Sequence, residues 1–282
     1  MTRTVLVPSS LAREAESKRE ATRKLGYVAR AATVFRVDRL VVFPDREGER
    51  RWEDGFVATV LRYAATPPYL RKEAWDVRGE LEYAGVLPPL RVSSQTGSGS
   101  ERPGSLRQGI VTEVGPDGRV RVTCGLQHPV SLHVPPDMEV AEGERVAIRV
   151  SSREPVRARI VDEPLPGYTV RRVGLPEALS APDAGYRIAA SRHGVDLTVG
   201  RLADLTGRVA GDLTVAFGAP ERGLPAILDR SVEAVPPETG DDVEPPDGFD
   251  LWLNTVPDQG SEVVRTEEAM FATLAPLTLP TE

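Results

Sequence analysis

Several residue types are scarce in this chain. Its 282 residues include one cysteine, three histidines and three tryptophans, and aromatic residues make up 5%. With Cys124 alone, an intrachain disulfide is excluded and a cysteine-held metal is disfavoured. Cys124 has no basic neighbour at catalytic spacing and sits in an alternating apolar segment, which suits a small core residue. His128, His133 and His193 do not pair with cysteines or carboxylates at ligand spacing, so no metal is expected. Long apolar runs are missing too: nothing approaches the ~18 residues that cross a bilayer. The opening MTRTVLVPSS lacks a signal-peptide core and reads as a first strand. A cytoplasmic protein with no membrane partner is expected. Common enzyme templates also fail, with no Walker loop, no GxGxxG after the first strand and no GxSxG elbow.

Lysine is nearly absent. Lys18, Lys24 and Lys72 are its three occurrences, leaving 32 of the 35 basic residues as arginine. Arginine with abundant acid fits a GC-rich genome, such as that of a salt-adapted archaeon. The net charge of −7 at first disfavours a nucleic-acid partner, but its distribution matters more. Met1–Arg78 holds 16 basic against 11 acidic residues, whereas Pro164–Glu282 holds 9 against 19. An acidic protein can therefore still present a basic face. Apolar content is 40% and charged content 27%, and the length is enough for a sizeable core and two domains.

In chain order, Thr4–Pro8 is a strand, and Ser9-Ser10 supplies N-cap candidates for a helical pattern over Leu11–Phe35. Val37–Phe43 is a second strand, so the chain opens β-α-β, which predicts a parallel sheet with a right-handed crossover. Trp52–Tyr63 is a second helix, followed by the breaker-rich, basic TPPYLRK. Arg91–Ser105, RVSSQTGSGSERPGS, is a linker. Beyond it, Gly109–Val114, Arg119–Thr123, Val130–Val134, Glu144–Val150 and Val156–Val161 alternate and are separated by turn signals. Five such strands suit a small Greek-key barrel of the OB type, serving either to bind RNA or to prop the main domain. The scarcity of aromatics there counts against strong single-strand binding. After Pro164 the α/β style returns, with strands at Arg187–Ala190 (then SRHG), Leu213–Phe217 and Asp250–Leu253. A helix is expected at Pro225–Arg230 and an acidic, proline-rich loop over Val235–Gly248.

The C-terminal stretch Phe249–Leu277 organises the rest. It reads as a buried strand, a polar loop over Asn254–Val264, and a helix opening at Thr266 and ended by Pro276. Strand, loop and helix N-terminus together offer free backbone N–H groups to a ligand, although an ordinary αβ connection has the same outline. A second glycine loop, Gly218–Gly223, also follows a strand, and open α/β sheets bind ligands at the carboxyl ends of their strands.

Three stretches together resemble the SPOUT (trefoil-knot) RNA methyltransferases. LGYVARAA at Leu25–Ala32, followed by FRVDRLVVF, is similar to their first motif; Lys24-Leu25 stands where the family has an asparagine-led start. FGAPERGL at Phe217–Leu224 is similar to the second, and LNTVPDQGSEVVRTEEAM at Leu253–Met270 to the third, which forms the knot. VPSSL, PPYLRK, LEYAGVLPPL and SRHG fit the archaeal–eukaryotic branch of RNA uridine-N3 methyltransferases, in which a β-barrel is inserted. RTEEA resembles the RTETA box of bacterial rRNA uridine-N3 enzymes. The resemblance spans nearly the whole chain.

It implies an α/β fold: a SPOUT-type knotted parallel-sheet domain from residues 1–92 and 164–282, with a small OB-like β-barrel inserted at residues 105–162. It also implies S-adenosylmethionine bound bent in the knot. The cofactor-binding residues would be Phe217, Gly218, Pro220, Glu221, Gly223, Leu253, Thr255, Gly260, Val264 and Thr266. Arg30 and Arg265 match catalytic arginines, while Arg71, Lys72, Arg192 and Arg222 are candidates for contact with RNA, expected to be rRNA. An arginine stays protonated, so it would stabilise charge on uracil O2 and O4 without acting as base. From the residues alone, Arg30 is equally a solvated helix-face residue, and Glu267-Glu268 a helix-start pair. A homodimer through the knot is expected. The alternative function is an RNA-binding or ribosome-assembly factor that keeps the fold without turnover.

Overall fold

A computed structural model of the chain describes residues 1–48, 52, 54–92, 105–232 and 246–280. Most of the expected linker Arg91–Ser105 and of the acidic loop Val235–Gly248 lies outside the described residues. The chain divides into two compact units. The first comprises Met1–Arg62, Glu80–Pro88 and Tyr168–Glu282, and the second Tyr63–Gly79 and Pro89–Gly167.

The elements begin with β1 (Arg3–Pro8), α1 (Lys18–Val34), β2 (Arg39–Phe43), α2 (Phe56–Ala65) and α3 (Arg71–Ala74). Five strands follow: β3 (Ser105–Val114), β4 (Arg119–Thr123), β5 (Val130–His133), β6 (Arg145–Arg153) and β7 (Val156–Val161). The chain then runs through β8 (Thr169–Arg172), α4 (Leu175–Leu179), β9 (Tyr186–Asp196), α5 (Val199–Arg208) and β10 (Leu213–Phe217). It closes with α6 (Leu224–Ile227), β11 (Leu251–Asn254) and α7 (Thr266–Leu277).

In the first unit six strands form one parallel sheet in the order β11-β9-β10-β1-β2-β8. Strands β1, β2 and β10 are almost wholly buried, as apolar runs covered on both faces should be. Leu6, Val41, Phe43, Ala216, Phe249 and Trp252 share one core cluster. The opening β-α-β is present, and β1 pairs with β2 from Thr4↔Arg39 to Pro8↔Phe43.

Helix α1 starts later than its periodicity suggests. Its N-cap is Ser17, whose hydroxyl accepts from Glu20 N–H at 3.2 Å. Ser9 and Ser10 do not cap it, because both are engaged by Asp45. Pro276 does not stop α7 short; it sits in the last turn, and the helix runs one residue further. Strand β8 escaped the sequence reading because it shows little apolar signal, and α5 because it is short and sits at the surface. Strand β8 is an edge segment, TVRR, with three of its four residues exposed, and α5 buries only Leu205.

The second unit is built on an antiparallel sheet, β5-β4-β3-β6-β7. Its edge strands β5 and β7 touch, so the sheet is a nearly closed barrel. Inward residues include Val111, Val122, Leu132, Ile148 and Ile160, with Cys124 buried among them. Burial pushes the Cys124 thiol above its ordinary pKa, consistent with an inert core residue. No helix among the described residues is long and apolar enough to cross a membrane.

Candidate active site

Three neighbouring segments of the first unit leave the sheet at the same end and enclose a cavity of about 330 Å³. The first is a bulge in β9. Its ladder with β11 pairs Trp252 with Ala189, and then Leu253 with Val195. Residues Ala190–Gly194 are skipped by that pairing, and Ser191, Arg192 and His193 line the cavity. A β-carbon on Gly194 would lie 2.4 Å from the carbonyl carbon of Trp252, so the SRHG run can end there only in glycine.

The second segment follows β10. Ala219 and Arg222 exchange backbone hydrogen bonds of 2.9 and 3.1 Å, folding FGAPERGL into a tight loop. Glu221 occupies a left-handed conformation at φ 60°. A β-carbon on Gly218 would meet Gly223 Cα at 2.7 Å, so glycine is required for the loop to close on itself. Outside the cavity, Arg222 forks onto Asp45, with Nε–Oδ2 at 3.0 Å and Nη2–Oδ1 at 3.1 Å, and also reaches Glu47. Asp45 also accepts from the Ser10 hydroxyl at 2.5 Å, and its backbone N–H donates to Ser9. The loop is thereby fastened to the ends of β1 and β2. The hydrogen bond to Asp45, foremost, raises the Arg222 pKa further.

The third segment is the loop after β11. Asn254 donates to Asp196 at 2.8 Å and accepts from Val256 N–H at 3.1 Å. Gln259 donates to the Ser261 and Glu262 carbonyls. Thr255 and Thr273 share a hydroxyl hydrogen bond of 2.8 Å that ties the loop to α7. Thr266, nearly buried at the start of α7, donates to the Gly218 carbonyl at 2.9 Å and links the two loops. Glu268 receives the Arg265 N–H at 2.9 Å and caps the helix. Glu267 beside it is held above the ordinary carboxyl pKa, chiefly by burial.

Phe217, Gly218, Pro220, Glu221, Gly223, Thr255, Val264, Thr266 and Arg192 line this cavity. Leu253 does not: it is fully buried in β11. Gly260, Arg222, Arg265 and Arg30 are also absent from the lining. Arg30 lies on α1, which packs against α7. Arg71 and Lys72 belong to α3, in the second unit. Sequence reading passed over His193, Asn254, Gln259 and Glu262, which also line the cavity. All four lie in stretches it had singled out, SRHG and LNTVPDQGSE, but it could not tell which side chains turn inward. Among the described residues no cluster of His, Cys, Asp or Glu could hold a metal.

The walls are mostly small and apolar (Ala190, Ala219, Pro225, Val256, Val263), with the carboxylates Glu221 and Glu262 at two points. At about 330 Å³ the space is at the lower end of small-molecule sites. Apolar walls, loop backbone and two carboxylates suit a small molecule with a flat apolar part and a cationic group.

Comparison with known proteins gives the chain a family. Residues 2–277 match the family described as "Putative RNA methyltransferase". An uncharacterized protein from Halobacterium salinarum is 69% identical over 99% of both chains. One from Haloarcula marismortui is 68% identical over the same share. The 28S rRNA (uridine-N(3))-methyltransferase of Homo sapiens is 31% identical, across 98% of this chain and 77% of its own length.

Proposed function

The chain belongs to this family of RNA methyltransferases, and from that premise we propose that it methylates N3 of a uridine in ribosomal RNA with S-adenosylmethionine as donor. The observation that carries the reading is the cavity where the bulge of β9 and the loops after β10 and β11 converge. Phe217, Gly218, Pro220, Glu221 and Gly223 on one loop, with Thr255, Val264 and Thr266 on the other, would hold the cofactor, largely through backbone groups, and Gly260 lets the second loop turn beside them. Leu253 supports that second loop from the core beneath it. When bound, the cofactor supplies an electrophilic methyl group on a sulfonium.

The chain's own residues must place the uracil ring and hold the charge that appears as N3 loses its proton to solvent. Arg265 and Arg30 are assigned to that charge, which spreads over O2 and O4. A permanently protonated guanidinium with several N–H donors suits it better than a titrating group. Arg192 stands at the cavity, with its Nε donating to His193 at 3.2 Å, and is the candidate for the RNA strand entering there. Arg222 is given a holding role, since its guanidinium is already shared between Asp45 and Glu47.

The knot belongs to the same reading: the chain beyond β11 threads the loop formed before it. In support, α7 comes back to pack on β10 and α1. A homodimer through this region is supported by Tyr27, Val34 and Phe271, large apolar residues left 40–44% exposed on α1 and α7. The second unit is read as an OB-like barrel.

The test is nucleoside mass spectrometry of rRNA from a deletion strain, paired with titration of the pure protein by S-adenosylmethionine. Loss of one 3-methyluridine and a saturable titration are expected. Unchanged nucleosides with intact cofactor and RNA binding would favour the assembly-factor alternative.

A further inference from the structure

The second unit carries a surface that the methyl-transfer cavity does not use. Its segment Tyr63–Gly79 turns at Pro67 and places two aromatic rings edge to face: Tyr63 and Trp75, 5.6 Å between centroids at 67°. Both rings are half-buried, with a guanidinium over each. Arg71 lies 4.6 Å from the Tyr63 centroid and Arg78 5.6 Å from that of Trp75. Thr66, buried beneath them, fixes the arrangement. Its hydroxyl accepts from Trp75 Nε1 at 2.9 Å and from Arg145 of β6 at 2.8 Å, and its carbonyl accepts from Arg71 Nε at 3.2 Å. Lys72, Val77 and Arg78 on the same segment are exposed.

The charge here is unbalanced. Among the described residues, none of Arg71, Lys72, Arg78 and Arg145 has a carboxylate within ion-pair distance, although Glu73 and Asp76 share the segment. Arg145 is half-buried as well, and that burial lowers its pKa. A half-withdrawn guanidinium without a counter-charge is costly unless an anion arrives. Phosphate supplies the anion, and a nucleobase supplies a π-face that can join a stack of alternating rings and guanidinium planes. A base paired inside a duplex cannot stack in this way, whereas an unpaired one can.

We propose that Tyr63, Arg71, Lys72, Trp75, Arg78 and Arg145 form a docking surface for single-stranded RNA, with phosphates on the four cations and one unpaired base against Trp75. The proposal rests on the rRNA methyltransferase reading and adds where the second unit grips the substrate. It also relocates that grip: the stacking residues come from Tyr63–Gly79, not from the barrel strands, which carry no comparable pair.

Fluorescence anisotropy of a labelled single-stranded RNA with the full chain, measured across a salt series, tests it. Lys72→Ala and Arg78→Ala change exposed residues, so folding is not at stake, and cofactor titration of each variant checks this. Each should lower the slope of log affinity against log salt by about 0.7, the value for one phosphate contact on a single strand. Trp75→Ala should weaken binding about tenfold at fixed salt, and Trp75→Phe should keep most of the affinity. Unchanged slopes and affinities in variants of a protein that still binds RNA would overturn the surface while leaving methyl transfer standing. A wild-type chain that binds no RNA would overturn both. Equal binding of duplex RNA would overturn the single-strand assignment. Equal binding of an acidic peptide of matched charge would overturn the nucleic-acid assignment.

Discussion

Arg222 in the first unit and Arg145 in the second are both withdrawn from water, yet their surroundings differ. Arg222, with its side chain 16% exposed, meets a nearly buried Asp45 and an exposed Glu47. Among the described residues, the guanidinium of Arg145 meets only the hydroxyl of Thr66. The parallel-sheet unit repeats the first pattern, with Arg39 on Asp183, Arg187 on Asp250, Arg172 on Asp54 and Arg230 on Asp247. An arginine whose fork is filled by a carboxylate holds two segments of the fold together. A half-buried arginine whose fork is open has its counter-charge still to come. The same residue type is thus structural at Arg222 and poised for a ligand at Arg145.

Removing the carboxylate from the first pattern should give the largest effect. Asp45→Ala leaves Arg222 charged and withdrawn from water with the exposed Glu47 as its remaining carboxylate partner among the described residues, a loss approaching the ~3–5 kcal/mol of a fully stranded charge. The loss should appear in denaturant unfolding and in weaker cofactor binding, since the loop Gly218–Gly223 loses its anchor. Adding Arg222→Met should restore much of the stability by removing the stranded charge. Arg145→Met should cost little or nothing by the same logic, because no carboxylate is stranded. If Asp45→Ala and Arg145→Met prove equally mild, the contrast between the two arginines is wrong.

That contrast could not be read from the sequence, whereas the scaffold around it largely could. Strands β1, β2 and β10 announce themselves as apolar runs, and the barrel strands as alternating segments between turn signals. Phe217–Leu224 and the run after β11 are legible as loops at the strand ends because glycines follow strands there, and both line the cavity. Which of their residues turn inward was not legible, since that depends on the β9 bulge and on hydrogen bonds such as Thr266 to the Gly218 carbonyl. Arg222 looked like an RNA contact because its partner Asp45 lies 177 residues earlier. Ser9 and Ser10 looked like a helix cap for the same reason, their true partners being the Asp45 backbone N–H and the Asp45 carboxylate. Pairings between distant residues leave no local signature.

Arg265 sharpens the comparison from the catalytic side. It is exposed, no carboxylate pairs with it among the described residues, and its backbone N–H, not its guanidinium, is held by Glu268. Under the proposed function its open fork meets the uracil anion. Arg265→Ala should then lower single-turnover methyl transfer about 10²–10³-fold, roughly 3–4 kcal/mol, with cofactor affinity little changed. Lysine restores charge but not the planar fork, so Arg265→Lys should recover only part of the rate. Wild-type rates in Arg265→Ala would make this arginine a helix-start residue and nothing more.

The smallest expected effect belongs to a filled fork at the surface. Arg39 binds Asp183 through two hydrogen bonds, 3.0 and 2.7 Å, with the two side chains 20% and 36% exposed. Solvent screens a pair that open, so Asp183→Asn should cost less than about 1 kcal/mol near neutral pH. The hydrogen bond from Arg39 holds the Asp183 carboxyl below its ordinary value of 3.8. Its contribution is therefore present above 3.8 and is lost as pH falls through the lowered folded value. Denaturant midpoints of wild type and Asp183→Asn should converge over that acid window and stay apart above it. Among the described residues Lys72 and Arg78 have no carboxylate partner to titrate, so the midpoints of Lys72→Ala and Arg78→Ala should track wild type throughout. A similar acid-dependent gap in those two variants would mean that the surface around Trp75 is paired in solution, and its arginines would then belong with Arg39 and Arg222.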